Sequence, residues 1–107
     1  MRAQRIADQQ QAIERELTAE RAAALLRISR TLESLIAQLH TSRERLPHLR
    51  DGERQRAVTA DADLRREALR YRWYLEVQRE ALGLRHHHRL DEFYDIPAPL
   101  ESLSSEP

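Results

Sequence analysis

The chain has 107 residues, of which 34% are charged and 5% aromatic, and it contains no cysteine. This length allows one domain, the small number of aromatic side chains disfavours a large conventional core, and the absence of cysteine excludes disulfides and thiol catalysis. The formal net charge is zero, but five of the 18 acidic residues and no arginine lie in 91–107, which leaves 18 arginines against 13 acidic residues in 1–90.

The first half of the chain has apolar residues at alternating spacings of seven and four. At about 100° of rotation per residue these positions form one stripe, so the pattern predicts a long amphipathic helix over about 3–46. Pro47 disfavours a continuing helix and is expected to end it. The stripe consists of Ile6, Ile13, Leu17, Ala24, Ile28, Leu35, Leu39 and Leu46.

The second half predicts a second helix, over about 53–82, after a turn at 47–52. Asp51 is the expected N-cap, although a start nearer Thr59 is the alternative, and Gly83 suits a left-handed helix end. One apolar face is expected to pack on helix one: Ala57, Ala60, Leu64, Ala68, Tyr71, Leu75 and Leu82. Ion pairs within this helix are predicted for Asp61–Arg65, Arg72–Glu76, Asp63–Arg66, Glu67–Arg70 and Glu76–Arg79.

Helix two has a second apolar stripe on its back, and all the aromatic residues fall between 71 and 94. A single antiparallel neighbour cannot cover both faces, so the back is expected to contact a partner, since buried aromatics contribute large apolar areas at interfaces. The predicted partner-binding residues are Leu69, Trp73, Tyr74, Val77, Leu84, Phe93 and Tyr94.

The C-terminal part predicts a short helix over about 89–94, which completes a domain of residues 1–95, and an extended or disordered acidic tail over 96–107. An intramolecular alternative is that Leu90, Phe93, Tyr94 and Ile96 fold back over Trp73. The predicted fold is therefore all-α: a long antiparallel two-helix, coiled-coil-like hairpin with a short third helix and an extended acidic tail.

The run His86, His87 and His88 suggests a metal site, but adjacent helical side chains diverge by about 100° and cannot all reach one ion. Favourable contact of these histidines with a helix C-terminus is the preferred interpretation, and pH-sensitive binding is left open. No metal site and no cofactor is predicted.

The sequence contains no phosphate-binding loop, no His-Glu-x-x-His and no other catalytic motif, so we expect no enzyme activity. The expected function is protein–protein association, with itself as a helical bundle or with another protein. The alternative is an arginine-rich nucleic-acid or anion binder with an autoinhibitory acidic tail, although acidic residues interrupt the basic ones and no nucleic-acid-binding motif is present. No apolar run could span a membrane or act as a signal peptide, and a soluble, cytoplasmic protein is expected.

Overall fold

The computed structural model of the protein describes residues 1–87 and 89–101. Helix α1 spans Arg2–Arg45, a 3₁₀ turn spans Leu46–His48, helix α2 spans Asp51–Ala81, and a short helix α3 spans Leu90–Phe93. The two long helices pack against each other as an extended hairpin, and the described residues contain no strand. The predicted all-α hairpin is thus confirmed, and its dimensions are 75 × 25 × 15 Å.

The core is a single row of leucines from α1 packed against small and large side chains of α2. Leu32 and Leu39 are completely buried, as is Ala68 on the facing helix. Because Ala68 has only a methyl group, it leaves room for the leucine side chains of α1 to pack between the two helices. Leu35, Leu75 and Leu90 complete the core cluster.

A buried ion pair joins the two helices near the hairpin tip. Asp61 is 2% exposed, and its carboxylate accepts hydrogen bonds from Nε of Arg43 at 2.8 Å and from Nη2 at 3.0 Å. This two-point contact fixes the position of one helix along the other. The predicted pairing of Asp61 with Arg65 was wrong, because the Asp61 side chain points towards α1.

The tip itself is closed as the proline predicts. Helix α1 ends at Arg45, Pro47 lies inside the 3₁₀ turn, and the Leu46 carbonyl accepts a hydrogen bond from Arg54 Nη1 at 2.9 Å. The N-cap of α2 is Arg50, not the predicted Asp51, and no side chain caps the helix. Asp51 is instead the first helical residue, with a φ of 54°, a backbone conformation that aspartate tolerates better than most side chains.

Helix α2 ends at the predicted glycine. Gly83 has a φ of 84°, the Gly83 N–H donates to Glu80 O and the Leu84 N–H donates to Arg79 O, both at 2.9 Å. This pair of hydrogen bonds is the Schellman arrangement, which satisfies carbonyls that the helix leaves open. The prediction for Gly83 is confirmed, and the chain reverses direction there.

After Gly83, residues 84–87 and 89–101, which we call the returning chain, run back along one flank of α2. Three arginines of α2, spaced seven residues apart, share that flank, and each donates to the returning chain. We call Arg65, Arg72 and Arg79 the arginine row. Its contacts are Arg79 Nη2 with His86 O at 3.0 Å, Arg72 Nη1 with Asp91 Oδ1 and Tyr94 O, both at 3.4 Å, and Arg65 Nε with Pro97 O at 2.9 Å.

The arginine row explains which predicted ion pairs form within α2. Asp63–Arg66 and Glu67–Arg70 are present, at 3.0 and 2.6 Å, and are confirmed. The described residues show no ion pair for Arg72–Glu76 or Glu76–Arg79, since these arginines bind the returning chain instead. Residues 96–101 accordingly lie along α2, whereas 102–107 fall outside the described residues.

Candidate protein–protein interface

The back of α2 presents an apolar surface that α1 does not reach. Trp73 and Val77 lie about 200° around the helix from the buried Leu75, and they are 59% and 41% exposed. Leu69 and Tyr74 flank them and are half-buried. We call Leu69, Trp73, Tyr74 and Val77 the aromatic face.

The aromatic rings within this surface form a connected series from the core outwards. Tyr71 packs against the core cluster, and its ring lies edge-on to Tyr74 with centroids 5.4 Å apart. Tyr74 in turn lies 5.6 Å from the Trp73 ring. These contacts restrict the exposed indole before any partner arrives, which lowers the entropy that binding must overcome.

The remaining predicted partner-binding residues are divided between surface and core. Leu84 is 44% exposed and Phe93 is 72% exposed. Tyr94 packs against the core cluster together with Leu90 and Ile96. The returning chain therefore packs against the core cluster on one side of the two long helices, rather than covering Trp73 as the intramolecular alternative supposed.

An open groove continues the aromatic face towards the hairpin tip. It runs between α2 and the returning chain, and Val58, Ala62 and Leu69 form its helical wall, with Pro99 and Leu100 opposite. Val58 and Ala62 lie on the same side of α2 as Leu69. The apolar back of α2 is therefore longer than the aromatic face alone.

A second unpaired apolar surface lies on α1. Every residue from 1 to 23 is exposed, and Ala24 is the first that is half-buried. Within this stretch the stripe residues Ile6, Ile13 and Leu17 are 55%, 56% and 45% exposed. We call residues 2–23 the arm.

Within the histidine run, the His87 side chain makes local contacts. His87 Nδ1 accepts from Arg79 Nε at 3.3 Å, and His87 Nε2 lies 3.2 Å from Glu80 Oε1. His86 is exposed, and His88 lies outside the described residues. Among the described residues no three His, Asp or Glu side chains are grouped as metal ligands.

The arginines near the tip are partly used inside the fold. Arg43 pairs with Asp61, and Arg54 donates to a backbone carbonyl, so two of the basic residues near the tip are engaged within the fold. Further along α2, the hydrogen bond to Glu67 and then the charge of Glu67 raise the pKa of Arg70 above its ordinary value.

Two features of these surfaces were missed in the sequence, although each has a signal there. The arginine row is visible as a seven-residue spacing, which places arginines on one flank of a helix. The arm is visible as a mismatch in length, because helix one was predicted to be far longer than helix two. The pairing of Arg43 with Asp61 has no comparable signal, since the two residues lie in different helices.

No family model, curated protein or solved structure matches this chain. In the described part of the chain, no helix has the combination of length and apolar character needed to cross a membrane.

Proposed function

We propose that this chain is a non-enzymatic association module that buries the aromatic face against another protein surface, most simply the aromatic face of a second copy. The observation that carries the proposal is the exposure of Trp73 and Val77 on a folded hairpin whose returning chain packs against the core cluster and leaves both side chains in solvent. Leu84 and Phe93 are further contacts on the segments that follow α2.

The energetic argument rests on the size of the exposed side chains. Burying a large apolar side chain stabilises an assembly by about 1.5–3 kcal/mol before ordering costs. Because the Trp73 ring is already held against Tyr74, little side-chain freedom remains to be lost. Tryptophan and tyrosine at the centre of an apolar patch are also the residues that most often dominate binding energy.

Back-to-back pairing would give a four-helix assembly in which the two α2 helices lie between the two α1 helices. This order follows from the position of the aromatic face, which is on the side of α2 away from α1. Arg66 and Arg70 lie beside the aromatic face, but each is paired with an acidic residue of its own helix, so the rim of the face is not strongly charged.

A cytoplasmic location remains a prediction from the sequence.

The proposal is tested by measuring molar mass with light scattering across a wide concentration range. Wild type is compared with Trp73→Glu and with Ala60→Glu, which adds the same charge at an exposed position on another side of α2. We expect wild type and Ala60→Glu to form the same assembly and Trp73→Glu to form a smaller one. Equal masses for all three would refute pairing through the aromatic face.

The same experiment has an intrinsic optical probe, because Trp73 is the only tryptophan of the chain. Its emission should shift to shorter wavelength as concentration rises and the indole leaves water.

A salt titration distinguishes protein association from the nucleic-acid alternative. Apolar pairing should persist at high ionic strength, whereas phosphate binding weakens steeply. Tight binding of DNA or RNA at low salt, with no self-association, would favour the alternative.

A further inference from the structure

The arm is a long helix without a neighbour. Helix α1 has 44 residues and α2 has 31, so α2 and the returning chain leave residues 2–23 bare. Helices in globular proteins derive most of their stability from packing an apolar face, and the arm packs its apolar face against no other part of the described chain. The arm therefore needs a cover for its stripe.

The bare stripe is the direct continuation of the buried one. Ile13 and Leu17 precede Ala24 at the same spacings that later connect the core residues of α1, so they face the side on which α2 packs. A cover for the arm would thus lie end to end with α2, on the same side of α1. Only an elongated, roughly straight apolar element fits that position.

We propose that the cover is the arm of a second copy, packed antiparallel. This inference rests on the proposed self-association and adds a second interface to it. The arm is complementary to itself when reversed: in the register that sets Ile6 against Leu17 of the second copy, Leu17 meets Ile6 of that copy and Ile13 meets Gln10. Six large apolar side chains then share one seam, with a two-fold axis between residues 11 and 12.

The charges beside the stripe favour this orientation. Arg2 and Glu20 are 18 positions apart, which is five helical turns, so they lie on the same flank of the stripe. Antiparallel packing sets Arg2 beside Glu20 of the second copy, and the two-fold axis repeats the pair. In a parallel pair Arg2 and Glu20 of the second copy would be about 27 Å apart along the axis and could not form this pair.

The total charge of the arm is also compatible with pairing. Residues 2–23 contain four arginines and four acidic residues, so two arms carry no net repulsion. Among the described residues, neither Arg2 nor Glu20 forms an ion pair. Both remain available for a second copy.

The pairing predicts a distinctive shape. In this register the first turn of each arm reaches the end of α2 in the other copy, near Gly83, and the whole stripe of α1 is covered. Two molecules 75 Å long that overlap by 22 residues, about 33 Å at 1.5 Å per residue, give a rod of about 115 Å. The paired aromatic faces would then join such rods.

The two interfaces are separated by a factorial measurement of molar mass on the full chain. Ile13→Glu should weaken arm pairing about a hundredfold or more, since both copies lose a buried isoleucine. Its control is Ala12→Glu, the same charge on the adjacent exposed position. If both interfaces form, Ile13→Glu removes the arm interface and Trp73→Glu removes the aromatic-face interface, and each variant still associates through the other. The double variant is then a monomer.

A charge exchange tests the orientation without touching the apolar seam. Arg2→Glu and Glu20→Arg should each weaken the dimer, by about tenfold, and the double variant should recover most of the loss. Spin labels on Gln4→Cys should be farther apart than those on Gln11→Cys, because their separations along the rod axis are about 22 Å and about 2 Å. Equal distances at the two positions would show parallel arms and overturn the antiparallel proposal.

The outcomes distinguish this inference from the proposed function. If Trp73→Glu disrupts the assembly and Ile13→Glu does not, the arm inference is wrong and the proposed function stands. If only Ile13→Glu acts, the arms pair and the aromatic face is not a self-association surface. A wild-type chain that stays monomeric at all concentrations overturns both.

Discussion

Residues 24–45 and residues 2–23 of α1 form one continuous helix with one continuous stripe, yet they meet different environments. In residues 24–45, which we call the paired section, Leu32 and Leu39 are fully buried under α2, while in the arm Ile13 is more than half exposed. The periodicity of the two sections is the same. An apolar stripe therefore specifies which side of a helix is to be buried. The length of the neighbouring helix decides whether the same chain can bury it.

The largest effect should come from breaking the buried ion pair that holds the paired section in register. Asp61→Ala leaves Arg43, which has 14% side-chain exposure, without its partner, and should cost about 3–5 kcal/mol of the free energy of unfolding. Chemical denaturation monitored by helicity measures the loss. Asp63→Ala is the control, because its pair with Arg66 is exposed and worth little. Equal losses in both variants would contradict the role of Asp61.

The contrast within α1 is tested most directly by truncating the same residue type in each section. Leu39→Ala opens a cavity in the core and should lower the free energy of unfolding by about 2–5 kcal/mol. Leu17→Ala, at a position that is 45% exposed in the single chain, should change it by less than about 1 kcal/mol at concentrations where the protein is monomeric. A large loss for Leu17→Ala in the monomer would mean that the arm is covered by its own chain.

The sequence predicted those features that depend on local pattern. Periodicity identified both helices, Pro47 and Gly83 marked their ends, and the second stripe identified the exposed Trp73. Predictions that needed the relative position of distant segments failed, because spacing along one helix does not show what approaches it from outside. Thus Asp61 pairs across the hairpin, and Arg72 binds the returning chain, although each has an acceptable partner on its own helix.

The position of the returning chain was open in the sequence for the same reason. Leu90 and Phe93 are three residues apart in one short helix, and in the intramolecular alternative both cover Trp73. The structure buries Leu90 in the main core and leaves Phe93 exposed. Hydrophobicity alone does not distinguish the two, whereas the seven-residue spacing of the arginine row indicates the flank of α2 that the chain follows.

The boundary between the paired section and the arm depends on where α2 ends, which Gly83 controls. Gly83→Ala places a side chain in a left-handed conformation and should cost about 1–2 kcal/mol, although no atom lies within 4 Å of the added methyl. Thermal or chemical denaturation measures it. Gly52→Ala is the matched control: its methyl would approach only the flexible end of Arg56, at 3.3 Å, and the change should be neutral or stabilising because alanine favours helix. A loss at Gly52 as large as at Gly83 would contradict the argument.

The smallest effect should come from releasing the returning chain, which covers the paired section and leaves the arm bare. Arg65→Ala removes the hydrogen bond to the Pro97 carbonyl and should weaken the attachment of residues 95–101 by about 1 kcal/mol. Hydrogen exchange should then accelerate severalfold in that segment, with little change in the core helices, because local opening does not require the hairpin to unfold. Arg70→Ala, which removes an exposed ion pair with Glu67 about 140° around α2 from Arg65, should leave the exchange of this segment unchanged. Hydrogen exchange that accelerates equally in α1 and α2 would instead show that the returning chain is an obligatory part of the hairpin core. The stability of the paired section would then depend on three segments rather than two.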